Sequence, residues 1–80
     1  MLTDYIEAAM AHAVIEHVEE DQRYYGEIPL CRGVIGIGET HEQCRRDIQE
    51  ALEGWIILGL RLGHGLPVID GIDLNEKEAA

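Results

Sequence analysis

The fold is decided by residues 34–62, which read VIGIGETHEQCRRDIQEALEGWIILGLRL. The first five predict a strand, 34–38, with Ile35 and Ile37 on one face and Gly36 and Gly38 on the other, where either another element packs closely or the strand bends. Thr40 and Gln43 then fit the S/T-x-x-E/Q capping box, in which the threonine hydroxyl accepts from the Gln43 amide and the Gln43 side chain reaches back. A long helix is therefore predicted to follow the strand directly.

The predicted helix spans about six turns and ends before Gly63 and Gly65, which are typical stop residues. Its buried stripe is predicted from helical spacing to be Cys44, Ile48, Ala51, Leu52, Trp55, Leu58 and Leu62. The second half of this helix is apolar all round, and a sheet covers only one side of a helix, so the other side needs a second cover, either the N-terminal helix or another subunit. Because an 80-residue domain offers few such covers, we predict a homodimer or a higher symmetric oligomer. The predicted interface residues are Trp55, Ile56, Ile57 and Leu60.

The remaining segments extend this strand and helix to an α+β fold. Residues 2–12 place apolar side chains on one helical face, and residues 13–19, 24–28 and 66–69 have the composition of strands. The predicted order is an N-terminal helix followed by β-β-β-α-β, with a mainly antiparallel sheet covered on one face by the long helix. The chain, 1–80, is predicted to be a single domain, with a helical extension (2–12), a core (13–70) and a polar tail (71–80).

The charge of the chain indicates which partners it binds. Six Lys and Arg residues against sixteen Asp and Glu residues give a net charge of −10. Because nucleic-acid affinity comes largely from Lys and Arg, we expect no direct DNA binding. Anionic membrane surfaces are disfavoured for the same reason, and a basic protein is the complementary partner.

The sequence also indicates a cellular compartment. The first residues, MLTDYIEAAM, do not resemble a secretory leader, and the longest uncharged stretch, residues 54–60, is too short to span a bilayer. Cys31 and Cys44 are too few for a disulfide scaffold. We therefore expect a cytoplasmic protein that does not bind membranes.

A set of short motifs resembles the HicB-like antitoxin family. They are YYGEIP at residues 24–29, GV at 33–34, GET at 38–40, CR at 44–45 and EALEGW at 50–55. Together they extend over roughly residues 13–70. The resemblance implies a β-β-β-α-β fold like a truncated RNase H without its catalytic carboxylates. It also implies pairing with HicA, a small basic ribonuclease toxin. Full antitoxins of this family add a C-terminal DNA-binding segment, and we expect this chain to act without one.

These observations lead to a functional hypothesis. We expect a non-enzymatic, antitoxin-like interaction domain of a HicAB-type toxin–antitoxin system, which binds a basic toxin stoichiometrically. The candidate partner-binding face consists of the acids around the predicted hairpin, Glu16, Glu19, Glu20, Asp21 and Glu27.

Two alternatives remain open: an oligomeric domain without a toxin partner, and a small metal-dependent hydrolase on a degraded RNase H-like scaffold. The four histidines form no H-x-x-x-H pair, and the spacing of Cys31 and Cys44 matches no zinc pattern. We therefore predict no metal site, no catalytic residue and no cofactor.

Overall fold

The computed structural model describes residues 2–75. Its elements are two helices and three strands, α1 (Leu2–Ala11), β1 (Val14–Val18), β2 (Arg23–Glu27), β3 (Ile35–Gly38) and α2 (His41–Leu62). The strands form one antiparallel sheet in the order β1-β2-β3, so β1 and β3 lie at its edges. The α+β class, the N-terminal helix, the three antiparallel strands and the long helix over the sheet are confirmed.

Helix α2 packs directly on the backbone of the sheet at three glycines. An added Cβ at Gly36 would lie 2.6 Å from Ile48 Cγ1 and 2.7 Å from the Ile48 backbone nitrogen, and one at Gly26 would lie 2.6 Å from Ile48 Cδ1. At Gly38 the added atom would overlap the backbone of Gln43 and Cys44. The glycine alternation predicted this close approach, and the element that makes it is α2.

The predicted capping box opens α2. Thr40 has an extended backbone, its hydroxyl accepts from the Gln43 amide at 3.0 Å, and Gln43 Oε1 accepts from the Glu39 amide at 3.1 Å. The helix ends at Gly63, which adopts the left-handed conformation (φ 75°) and donates its N–H to carbonyls of the last turn. That conformation favours glycine, so the predicted stop at Gly63 is confirmed.

The predicted buried stripe of α2 is right in the first half of the helix and wrong in the second. Cys44, Ile48 and Leu52 are buried, whereas Leu58 and Leu62 are more than half exposed. Ile56 and Gly59 take their place, in positions four and seven residues after Leu52. Gly59 is buried because the side chain of Leu66 packs at the position where its Cβ would lie. The buried line therefore turns around the helix as α2 leaves the sheet.

Helix α1 completes the core on a different side of α2 from the sheet. Tyr5, Ala9 and Met10 are buried, Ile6 is half-buried and Leu2 is exposed, as expected for a helix with one apolar face. They join the side chains of α2 and of the loop before β3 in one cluster, with Ile28, Cys31, Val34, Leu66 and Ile69.

The predicted strand at residues 66–69 does not form within the described chain, which contains only an isolated bridge between Ile69 and Ile72. The backbone groups of this segment have other partners. Asn75 bonds both the N–H and the C=O of Leu66 at 2.8 Å, and Tyr5 donates its hydroxyl to the Pro67 carbonyl at 2.6 Å. Pro67 also has no N–H to offer a neighbouring strand.

Part of the predicted polar tail is packed against the core. Ile72 and Leu74 are partly buried there, because the turn at residues 69–72 folds the chain back. The remainder of the predicted tail, residues 76–80, lies outside the described residues. Within residues 2–75, neither helix has the length and apolar character required to cross a membrane.

Candidate protein-interaction surface

The sheet has a second face that no element of the described chain covers. Side chains alternate along a strand, so the residues one position from the glycines point away from α2. The strand register aligns them in three rows. We call this surface the outer sheet face, and it consists of Val14, Glu16, Val18, Arg23, Tyr25, Glu27, Ile35 and Ile37.

The centre of the outer sheet face is apolar. Ile35 is 65% exposed, Val14 55%, Ile37 39% and Tyr25 36%. These four side chains line a shallow groove of about 600 Å³ together with Glu16, Glu27 and Asp47. A contiguous exposed apolar patch with a polar rim is typical of a protein-interaction site, whereas single exposed apolar residues are ordinary.

The five acids predicted to form the partner-binding face are all exposed, but they divide into two groups. Glu16 and Glu27 lie on the outer sheet face, where each is flanked by apolar residues of the neighbouring strands. Glu19, Glu20 and Asp21 lie in the turn between β1 and β2, at one end of that face. The predicted acidic face is thus the rim of an apolar surface.

Tyr25 connects these two groups. Its hydroxyl donates to Asp21 Oδ2, which fixes the ring across the outer sheet face. The hydrogen bond to the Asp21 carboxylate, a small effect of burial and the negative charge of Asp21 together raise the pKa of Tyr25 above its ordinary value, although Arg23 acts in the opposite direction. The phenol is therefore neutral at physiological pH, and the Asp21 carboxylate accepts a strong hydrogen bond from it.

The edge of the sheet next to the patch is partly closed. The Ile37 N–H donates to Asp47 Oδ2 at 2.9 Å, so a side chain of α2 occupies one hydrogen-bonding position of edge strand β3. Acidic side chains at an edge discourage unspecific strand pairing. The described chain places no further strand on either edge.

The predicted oligomer interface on α2 is brought together only in part. Ile57 and Leu60 are exposed, at 58% and 48%, and Trp55 is half-buried against the core. Ile56 is 1% exposed, so its assignment to an interface is wrong: it fills the core position that follows Leu52 along the rotated buried line. Leu58 and Leu62, which were predicted to be buried, are exposed on this part of α2.

The two cysteines are free and buried, and burial raises the pKa of both thiols. The neighbouring Asp47 also raises the pKa of Cys44. A thiol with a raised pKa is a poor nucleophile at neutral pH. Residues 2–75 contain no group of three or more His, Cys, Asp and Glu side chains placed to hold a metal ion.

The sequence analysis missed the apolar centre of this surface and Asp47. The signal for Ile35 and Ile37 was present, because they alternate with glycines that a helix must approach and therefore point away from it. Val14 and Tyr25 follow from the register of β1 and β2. Asp47 could not be found this way, since its role depends on where α2 crosses β3.

Comparison with known proteins places the chain in a family. A sequence profile described as UPF0150-like matches residues 4–67. The crystal structure of TTHA0281 from Thermus thermophilus is similar, with 35% identity and a TM-score of 0.88 over 96% of this chain and 95% of that one. No curated protein matches. Since the profile covers most of the sequence, including every strand, all of α2 and most of α1, this chain belongs to the UPF0150-like family.

Proposed function

We propose that this protein is an antitoxin-like interaction domain that binds a small, basic ribonuclease toxin of the HicA type through its outer sheet face. The UPF0150-like family is related to HicB-type antitoxins, which agrees with the motifs at residues 24–55. The proposed mechanism is stoichiometric: the bound domain covers the RNA-cutting surface of the toxin, and no catalytic step is involved. The proposed place of action is the cytoplasm.

The observation that carries this proposal is the acidic rim around an exposed apolar centre. Interfaces combine a desolvated apolar core with a polar rim. The rim contains Glu16, Glu27, Asp47 and the three turn acids, and the whole chain has a charge of −10. A toxin that binds RNA must present basic side chains, so the same charges that attract RNA attract this surface.

Complementary charge also makes recognition fast and selective. Opposite fields steer two proteins together, while the apolar contacts formed after docking slow their separation. Ile35 and Ile37 of the apolar centre belong to edge strand β3, so a partner that contacts their side chains can also reach the part of this edge that Asp47 leaves open.

The test is co-expression of this chain with the product of a short, basic reading frame adjacent to its gene. We expect a complex that purifies intact and suppresses ribonuclease activity at equimolar ratio. Ile35→Asp and the double variant Glu16→Lys/Glu27→Lys should each weaken binding by about tenfold or more in titration calorimetry, because they alter the centre and the rim.

The matched control is the double variant Glu7→Lys/Glu42→Lys, which makes the same change of net charge at exposed positions of the two helices. We expect it to lower the association rate slightly and to leave the dissociation rate unchanged. Equal losses in the two double variants, or the absence of any basic protein bound to this chain in its native host, would refute the proposal.

A second candidate function, self-association without a toxin, is favoured by the end of α2. Four large apolar side chains there are exposed, namely Ile57, Leu58, Leu60 and Leu62. A surface of that kind on a small domain is typical of a subunit contact. Formation of a homo-oligomer by a chain that binds no basic protein would support this candidate over the first.

A further inference from the structure

Helix α2 carries a second line of residues on the side opposite to its buried line. Glu50, Gly54, Ile57 and Arg61 follow one another at spacings of four, three and four residues, which keeps them on one side of a helix. All four are exposed. The buried residues of the same part of α2, Leu52, Ile56 and Gly59, face the other way.

Gly54 has no function in the packing of its own chain. An added Cβ there would meet no atom within 4 Å, and the residue is helical. Glycine in the interior of a helix is less favourable than alanine. Gly36 in β3 and Gly59 in α2, by contrast, are each required by a neighbouring side chain. Gly54 therefore differs from them in having no neighbour within the described chain.

The charged ends of this line are also unpaired. Within the described part of the chain, neither Glu50 nor Arg61 forms an ion pair or a side-chain hydrogen bond. They have opposite charge and lie at opposite ends of the line, with Gly54 and Ile57 between them.

We infer that a second copy of this chain packs antiparallel against α2, with the two-fold axis passing between positions 55 and 56. That axis places Gly54 opposite Ile57 of the other copy and Glu50 opposite Arg61, each contact occurring twice. The isoleucine side chain enters the space that glycine leaves free, so the helices approach closely. The exposed Leu58 and Leu60 flank the line and extend the apolar contact.

The charge pattern identifies the occupant as a second copy. A two-fold contact is self-complementary, so a surface that forms it must carry both members of every pair at equal distances from the axis. In this line, Glu50 and Arg61 are such a pair of opposite charges. Gly54 and Ile57 are such a pair of a small and a large side chain. A purely basic partner would complement Glu50 but not Arg61, so it would match only half of this charge pattern. This contact deepens the proposed self-association and uses none of the outer sheet face.

The decisive experiment is charge exchange, followed by sedimentation equilibrium of the full chain. We expect the wild type to dimerise in the micromolar range. Glu50→Arg alone and Arg61→Glu alone should each raise the dissociation constant by about tenfold, since each brings like charges together twice. The double variant Glu50→Arg/Arg61→Glu should return it to within about threefold of the wild type.

A second variant tests the close approach. Gly54→Leu is compatible with the monomer, because the position is open and leucine is a good helix former, and it should weaken the dimer by about tenfold or more. The control Glu7→Arg makes the same change of net charge as Glu50→Arg but lies at an exposed position of α1, and it should leave association unchanged.

Three results would overturn the inference: a wild-type monomer at several hundred micromolar, a double charge exchange that associates as weakly as the single variants, or unchanged dimerisation of Gly54→Leu. Assembly that withstands all of these variants means that self-association uses another surface. Binding of the basic partner is measured separately on the outer sheet face, so its failure does not affect this result.

Discussion

The two faces of the sheet differ in where they carry large apolar side chains and where they carry glycine. The face under α2 is built on Gly26, Gly36 and Gly38, whereas the outer sheet face carries valine, isoleucine and tyrosine side chains that the described chain leaves exposed. Side-chain volume is absent only where α2 packs directly on the strand backbone, since Ile15 and Tyr24 on the same face pack against the core. The two faces therefore have different surroundings: α2 packs on one of them, and no element of the described chain covers the other.

A side chain added to the sheet face under α2 should have the largest effect on stability. Gly36→Val should destabilise the fold by about 3 kcal/mol or more, because the new side chain overlaps both the side chain and the backbone of Ile48. Urea unfolding measures the loss, and Gly36→Ala provides a smaller version if the valine variant does not fold. An inner-face variant as stable as the wild type would show that α2 can move away from the sheet without cost.

Isoleucine gives the next largest effect when it is compared in the core of α2 and on the outer sheet face. Ile48→Ala should cost about 3 kcal/mol, since it leaves a cavity in the core. Ile35→Ala, at a position that is 65% exposed, should change the unfolding free energy by less than about 0.5 kcal/mol. Similar losses at the two positions in parallel urea titrations would mean that the outer sheet face is covered in solution.

The pH dependence of stability should distinguish Tyr5, which is buried in the core, from Tyr25, which lies on the outer sheet face. Burial, with smaller effects of Cys31 and Asp73, raises the pKa of Tyr5 from its ordinary value of 10.0 to about 12. The unfolded chain therefore loses this proton first, and the contribution of Tyr5 to stability, which is constant below pH 10, should fall by about 2 kcal/mol as the pH rises towards 12. Tyr25, on the outer sheet face, should ionise without unfolding the protein.

The measurement is unfolding free energy against pH for the wild type and for Tyr5→Phe, together with absorbance at the wavelength of the phenolate. The Tyr5→Phe variant loses the hydrogen bond to Pro67, so its stability is lower below pH 10, and its slope above pH 10 should be shallower. Parallel slopes in the two proteins would contradict the assignment of this pH dependence to Tyr5.

The smallest expected effect concerns the N-terminal cap of α2, which directly follows β3. Thr40→Ala removes the hydroxyl that accepts from Gln43 and should cost about 1 kcal/mol. Thr3→Ala, an exposed change at the start of α1, is a comparison for loss of a threonine outside this cap. Thermal unfolding followed by circular dichroism resolves the difference, and equal values for the two variants would show that the cap contributes nothing.

Some features were predictable because they depend on residues close together in the chain. The capping box at Thr40 and the stop at Gly63 follow from local hydrogen bonding, and the close approach to Gly36 follows from local steric space. The missing strand at residues 66–69 was not predictable in this way. Its apolar composition suits a strand, but Asn75 and Tyr5 take the backbone groups that a ladder requires, and Tyr5 does so from the opposite end of the sequence.

The sequence by itself determined the order of the two helices and the three strands between them, the excess of negative charge and the helix capped by Thr40, since these depend on composition, spacing and capping. Only the tertiary structure decided that Ile56 is buried and Ile57 exposed, and that Ile35 lies beside Glu27 and Ile37 beside Tyr25. The reason is geometric: α2 leaves the sheet partway along its length, so the direction of the core turns around the helix, and periodicity alone does not contain that direction.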